Sequence, residues 1–523
     1  MATGKNHLKK LKEASQKLVV LIILDGWGIA PPNKGNAITL AKTPTMDSLI
    51  KHYSSTELIA HGVKVGLPPK QDGNSEAGHM NLGSGRVTDQ DAVYISKEIN
   101  NGAFFKNAAF LEAIQNVKKN KSKMHLMGLI SGDQSAHAEP DHLLALLELL
   151  RQRGINKFYL HLFTDGRDSS RFSGLEYVLA LERGLKWPNE SIATIQGRFY
   201  AMDRKKKWNR LEKAYNLLVL GKGESANSPQ AAITRAYNRG ESDEFIRPAI
   251  MLRHGKPIAT IGDNDSVIFF NLRSDRARQF TKAFVQKDFK EGFKRQKILK
   301  NLVFVAMTDF GPDLENILTA FPSRDLKNTL PFVLDGLKQL YVAESEKYSH
   351  VTYFFNGGYA DPVMGEERIR IPSPDVVSYD EIPGMSAAKI TETVLEKIRV
   401  GNFNFMAVNF CNPDMIGHTG NLSAGIKAVE AVDHCLGKII SAILKKNGTA
   451  VVTADHGNIE EMINLKTGEV DTKHSTNPVP LIVVGQNWRH KKLKSGFLAD
   501  VAPTILKIMG LPKPREMSGD SLF

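Results

Sequence analysis

Several short apolar runs in this chain stop at an aspartate in or near a glycine-bearing turn. Leu18–Leu24 runs into Asp25-Gly26, Phe158–Phe163 into Asp165-Gly166, and Val303–Met307 into Asp309. Phe405–Phe410 leads to Asp414, and Ala450–Thr453 to Asp455. Near-continuous apolar runs are the mark of strands covered on both faces. Amphipathic patterns lie between them, over Asp141–Arg153 and over Ser423–Lys446, where Ile426, Val429, Val432, Leu436, Ile439 and Ile440 recur at helical spacing. Strands alternating with helices predict an α/β fold on a mostly parallel, doubly wound sheet. Such sheets bind ligands at the carboxyl ends of their strands, so the aspartates stand where chemistry is expected.

At 523 residues the chain exceeds a single core, and two or three domains are expected. The Asp/His-rich turns lie mainly near the two ends. Between about 90 and 322 the chain is instead rich in arginine and lysine. One domain inserted in another accounts for this: residues 18–89 and 323–523 form the outer domain, 90–322 the insert, and 1–17 a loose basic extension. Hydrophobic residues at 42% and charged residues at 24% permit a large core and exclude disorder over most of the length. The run after the basic N-terminus is too short for a membrane span, and no other approaches one. Two cysteines, Cys411 and Cys435, exclude a disulfide framework and a zinc finger. They fit a reducing compartment as small buried hydrophobes, and a cytosolic protein is expected. The formal charge of +13 points to acidic partners, but does not choose among nucleic acid, membrane and small anions.

Three clusters carry chemistry. Near the C-terminus, Asp414-Met-Ile-Gly-His418, Asp455-His456-Gly-Asn and His474-Ser-Thr-Asn-Pro supply oxygen and nitrogen ligands from strand-end loops. That mixture suits manganese, zinc or a similar ion better than calcium. The adjacent Asp455 and His456 can face one metal only in a bent turn; otherwise they reach toward different ions. Near the N-terminus, Asp25-Gly-Trp-Gly closes the first strand, and Gly73-Asn-Ser75-Glu-Ala-Gly-His79 frames a serine with glycines. Such a serine is either a helix cap or a nucleophile on a tight turn into a helix. No His/Asp triad accompanies it, so as a nucleophile it needs a metal to lower its hydroxyl pKa. The central cluster is Asp165-Gly-Arg167-Asp168, Arg198 to Arg204, and Asn271-Leu-Arg273-Ser-Asp275-Arg276. Its arginines sit singly in turns beside aspartates, which favours a compact pocket for a small anion over a nucleic-acid surface. The lysines at 205–207 and the stretch Lys287–Lys300 are read as solvated.

The ordered stretches LDGWG, GNSEAGH, DGRD, GRFYAMDR, NLRSDRARQ, EKYSHVTYFFNGG, NPDMIGHTG, VTADHGN and HSTNPVP resemble cofactor-independent phosphoglycerate mutase, within the alkaline-phosphatase-like metalloenzymes. The resemblance runs from about Leu18 to Phe523. It implies a split metal-binding phosphatase-like domain with an inserted phosphotransferase domain. It also implies interconversion of 3- and 2-phosphoglycerate in glycolysis and gluconeogenesis, without 2,3-bisphosphoglycerate. Ser75 would be the nucleophile and form a phosphoserine. One divalent ion, manganese by expectation, would be held by Asp414, His418 and His474, and a second by Asp25, Ser75, Asp455 and His456. Substrate contacts would fall on His137, Arg167, Asp168, Arg198, Arg204, Arg273, Arg276 and Lys347, with Asp168 and His137 as proton shuttles. A monomer with a small-molecule substrate, and no nucleic-acid or membrane partner, is expected.

The chain departs from the family in two places. Ser131 to Glu139 carries one extra residue, so that His137 matches the first of two usual histidines and Glu139 stands at the second. Lys205 replaces a usual acidic residue. A metal-dependent phosphatase or phosphopentomutase-like enzyme would share the metal ligands but not the central arginine motifs. A basic nucleic-acid-binding protein would explain the charge but not the Asp/His ligand set.

Overall fold

The computed structural model describes residues 17–132, 135–489 and 491–523. The expected N-terminal extension lies, except for Lys17, outside the described residues. The chain divides into two units: the described residues up to Gln90 with Arg324–Phe523, and Asp91–Ser323.

The first unit is built on an eight-stranded sheet. Its order is Glu367–Ile371, Gln339–Glu344, Phe405–Phe410, Val19–Leu24, Thr449–Thr453, Val479–Val484, Ser54–Ile59 and Gly496–Phe497. Val19–Leu24 is buried along its whole length, as a central strand of this composition must be. It pairs in parallel with Phe405–Phe410 and Thr449–Thr453, with Leu24 opposite Phe410 and Ile23 opposite Thr453. Their carboxyl ends are therefore level, and Asp25, Asp414 and Asp455 emerge at one edge.

Val479–Val484 runs antiparallel to both its neighbours, Thr449–Thr453 and Ser54–Ile59. Leu481 lies opposite Thr453, so the segment before Val479, which holds His474, starts from that same edge. The long helix Leu422–Lys445 buries Val429, Val432, Leu436, Ile439 and Ile443. Each such side chain contributes roughly 1.5–3 kcal/mol by leaving water. Asn421 caps this helix by accepting from Ala424 N–H at 3.2 Å.

The second unit has a nine-stranded sheet. Leu318–Phe321, Val303–Thr308, Ser266–Phe269, Met124–Ile130, Phe158–Thr164 and Glu190–Gly197 follow one another in parallel. Ala249–Arg253 is antiparallel to the last, with Glu224–Ala226 and Lys256–Pro257 beyond it. The expected helix at 141–153 is Pro140–Gln152, and Lys287–Lys300 is neither helix nor strand. No helix of the described residues is long and apolar enough to cross a membrane. Both cysteines are buried free thiols.

Candidate active site

Asp25 ends the first strand, and Asp414 sits on the short helix Asn412–Gly417 that follows Phe405–Phe410. Asp455 and His456 occupy a bend beyond Thr449–Thr453. Of the two arrangements open to this adjacent pair, the structure shows the bent one. His456 Nε2 lies 3.5 Å from both Asp455 Oδ2 and Asp25 Oδ1.

Ser75 is the first residue of the helix Ser75–Ser84. The cap is Asn74, whose side chain accepts from Ala77 N–H at 2.9 Å. The serine hydroxyl is thus not spent on capping. It lies 2.9 Å from His456 Nε2 and 3.4 Å from Asp25 Oδ1. Lys347 Nζ donates to Ser75 Oγ at 2.5 Å and to Asp25 and Asp414, each at 2.6 Å. Lys347, expected among the substrate contacts, therefore stands in the carboxylate cluster of the first unit.

The charges in this cluster do not balance. Three buried carboxylates, Asp25, Asp414 and Asp455, face one buried ammonium, Lys347. Burial, followed by the Asp455 carboxylate, pushes Asp25 up to about 6. Burial alone would lower Lys347, but Asp25, Asp414 and Asp455 outweigh it and hold the ammonium above its ordinary range. Burial would likewise raise Asp414 and Asp455. Lys347 and His418 pull the first well down, and His456 and His79 do the same to the second.

The histidines sharpen the imbalance. His418 Nδ1 meets Thr472 O at 2.8 Å, His474 Nδ1 meets Gly73 O at 2.8 Å, and His456 Nδ1 meets Gly457 O at 3.2 Å. A carbonyl only accepts, so each Nδ1 carries a proton, and in the neutral ring each Nε2 is left to offer a lone pair. Those Nε2 atoms point at acceptors. His418 and His474 face each other at 3.1 Å and Asp414 Oδ1 at 3.3 and 3.2 Å. Lone pairs turned on lone pairs and carboxylates fit a cation between them, and backbone carbonyls holding the far ring nitrogens are the usual support of metal-binding histidines. The ligand atoms of Asp414, His418 and His474 lie within 4.8 Å of one another, as do those of Asp25, Asp455 and His456.

The second unit gathers the arginines. Arg198 is buried and donates to Asp165 at 2.6 Å and Asp168 at 2.7 Å. His137 Nε2 is 4.0 Å from Asp168 Oδ2, and Ser135 Oγ donates to the same oxygen at 3.3 Å. Burial, then Arg198 and Arg273, pushes His137 down to about 3. Burial would raise Asp168, but Arg198 prevails and holds it below its usual range. Arg204 donates to Asp275 at 2.6 Å, and Arg273 lies 3.4 Å from the other oxygen of Asp275. Burial, then Arg198, Arg204 and Arg167, pushes Arg276 down to about 10, a sign that these guanidiniums crowd one another. Arg167 is half exposed, 3.6 Å from Glu244. The residues of the second unit named from sequence thus lie near one another.

A family model described as the metalloenzyme superfamily matches residues 17–513. The chain is 48% identical over 513 residues to the 2,3-bisphosphoglycerate-independent phosphoglycerate mutase of Clostridium novyi, covering 97% of this chain and 100% of that one. Against the protein of the same name from Clostridioides difficile it is 49% identical over 512 residues, covering 97% and 99%. The chain belongs to the 2,3-bisphosphoglycerate-independent phosphoglycerate mutases. The phosphoglycerate mutase of Leishmania mexicana, solved at low cobalt concentration, superposes with a TM-score of 0.79 at 31% identity, covering 97% of this chain and 98% of that one. Fold and family agree: this mutase is a metalloenzyme with the two-domain α/β architecture expected from its motifs.

Sequence reasoning missed several supports of the candidate site. Asn409 Nδ2 donates to Asp25 Oδ2 at 2.8 Å, and Asn458 Nδ2 to Asp414 Oδ1 at 2.9 Å. His79 Nδ1 meets Ser75 O at 2.9 Å and approaches Asp455 Oδ2 to 3.1 Å. The available signals were a lone polar residue in the apolar run at Phe405–Phe410, and unassigned letters of VTADHGN and GNSEAGH.

Proposed function

We propose that this enzyme interconverts 3- and 2-phosphoglycerate through a phosphoserine on Ser75, with two divalent cations and no 2,3-bisphosphoglycerate. The observation that carries this reading is the placement of the Ser75 hydroxyl, uncapped, among His456, Asp25 and Lys347. Asp414, His418 and His474 would hold one cation; Asp25, Ser75, Asp455 and His456 would hold the other. Bound there, two cations would lower the serine pKa and neutralise phosphoryl oxygens. Manganese suits the mixed carboxylate and imidazole set.

The chain's own groups then divide the work. Ser75 Oγ attacks phosphorus, and the bond from phosphorus to the glycerate oxygen breaks. Lys347 Nζ stabilises negative charge at Ser75 Oγ. In the second unit, Arg198, Arg204, Arg273, Arg276 and Arg167 supply forks for the carboxylate and phosphate of the substrate. The glycerate reorients, and its other hydroxyl takes the phosphoryl group back from Ser75. His137, kept neutral near neutral pH, and the ionised Asp168 would move the hydroxyl protons. The enzyme is proposed to work as a monomer.

Acid quenching of manganese-loaded enzyme during turnover, followed by peptide mass spectrometry, tests the covalent step. Phosphate on the peptide holding Ser75 is expected; phosphate confined to another residue contradicts the reading.

A further inference from the structure

Glu460 is a fully buried carboxylate that the mechanism above does not use. Its Oε2 accepts from Gly28 N–H at 3.1 Å and Asn458 N–H at 2.8 Å. Its Oε1 accepts from the Ser475 hydroxyl and from Asn477 Nδ2 at 3.0 Å. These donors come from three loops, the first far from the other two in sequence: the turn after Asp25, the bend that carries Asp455 and His456, and the segment that begins with His474. Asn458 extends the set, since its side chain donates to Asp414 Oδ1 at 2.9 Å. One carboxylate thus ties together the segments that present both ligand groups.

Two motif glycines reflect this arrangement. A Cβ on Gly28 or on Gly457 would fall inside the Glu460 carboxylate. The second glycine of LDGWG and the glycine of VTADHGN are therefore the space through which the carboxylate reaches the two backbones.

We infer that Glu460 is a positioning residue for both metal-ligand groups, setting the relative placement of the three loops without touching metal or substrate. The inference rests on the two-cation reading proposed above. A buried carboxylate is acceptor-only and suits four converging donors; an amide at the same place turns a donor on one of them. Through Asn458, whose backbone N–H it accepts, Glu460 acts on a hydrogen-bond partner of Asp414, and such partners of metal ligands typically govern affinity by ten- to a hundredfold.

The test uses the full-length enzyme, stripped of metal and titrated with manganese(II) by calorimetry, for wild type, Glu460→Gln and Ser475→Ala. Circular dichroism and thermal melting of the metal-free proteins, with kcat and KM of the loaded ones, complete it. For Glu460→Gln, manganese affinity is expected to fall about ten- to a hundredfold and kcat with it. KM for phosphoglycerate should stay close to wild type, while metal-free melting falls by a few degrees because the amide turns one buried donor on another. Ser475→Ala, which removes one of the donors, should lose less, about three- to tenfold; it decides the matter if Glu460→Gln does not fold. Wild-type manganese affinity in Glu460→Gln and Ser475→Ala, or lowered metal-free melting with affinity retained, overturns the positioning role alone. A wild type that takes up no manganese overturns the two-cation reading and this inference with it.

Discussion

Asn74 takes the capping role at the helix Ser75–Ser84, and this frees the Ser75 hydroxyl to face His456, Asp25 and Lys347. From sequence alone the two roles could not be separated, because both asparagine and serine are good caps and they are adjacent. Ser75→Ala is expected to lower turnover by at least about a thousandfold while manganese uptake persists. Wild-type turnover in that variant rules out the covalent step. Lys347 supports a second expectation. Its ammonium is the counter-charge to Asp25 and Asp414, so Lys347→Met leaves buried carboxylates uncompensated. Removing one partner of a buried pair costs about 3–5 kcal/mol, so the metal-free variant should melt well below wild type. Manganese replaces the lost charge and should narrow that gap; a gap unchanged by manganese contradicts the account.

Among the elements, strand ends were the most legible feature. Apolar runs such as Val19–Leu24 and Phe405–Phe410 name themselves, and the aspartate that follows each lies at the edge where the candidate ligands gather. Direction was not legible. Nothing in Val479–Val484 or Ser54–Ile59 reveals that they run antiparallel to each other, since direction is set by the partner strand and the connection. The antiparallel run of Val479–Val484 is what brings His474 to the edge. Buried histidines in the second unit were equally silent. His142 lies on the helix Pro140–Gln152 with Nε2 3.1 Å from Ser96 Oγ. Burial pushes it down to about 4 from the ordinary 6.5. The fold therefore favours the neutral ring, and the unfolded chain binds the extra proton first as pH falls. Stability from this group is complete above about 6.5 and declines toward about 4, a loss of about 3 kcal/mol. Metal-free His142→Gln should show a flatter fall of melting temperature across that window than metal-free wild type. Parallel pH curves would contradict the assignment.

For the whole molecule, a division into two units follows a change in composition visible in the chain, from Asp/His turns to arginine turns. The formal charge of +13 did not by itself choose an anion. The gathering of Arg198, Arg204, Arg273 and Arg276 in turns beside aspartates fits a small anion better than an extended one. On the proposed mechanism, what separates a mutase from a phosphatase sharing this ligand set is the fate of the phosphoryl group that Ser75 would carry: return to the glycerate, or loss to water. The direct measurement is phosphorus NMR of the manganese-loaded enzyme with 3-phosphoglycerate and no 2,3-bisphosphoglycerate. The account predicts that 2-phosphoglycerate accumulates to equilibrium with little inorganic phosphate. Release of inorganic phosphate with no 2-phosphoglycerate would contradict it.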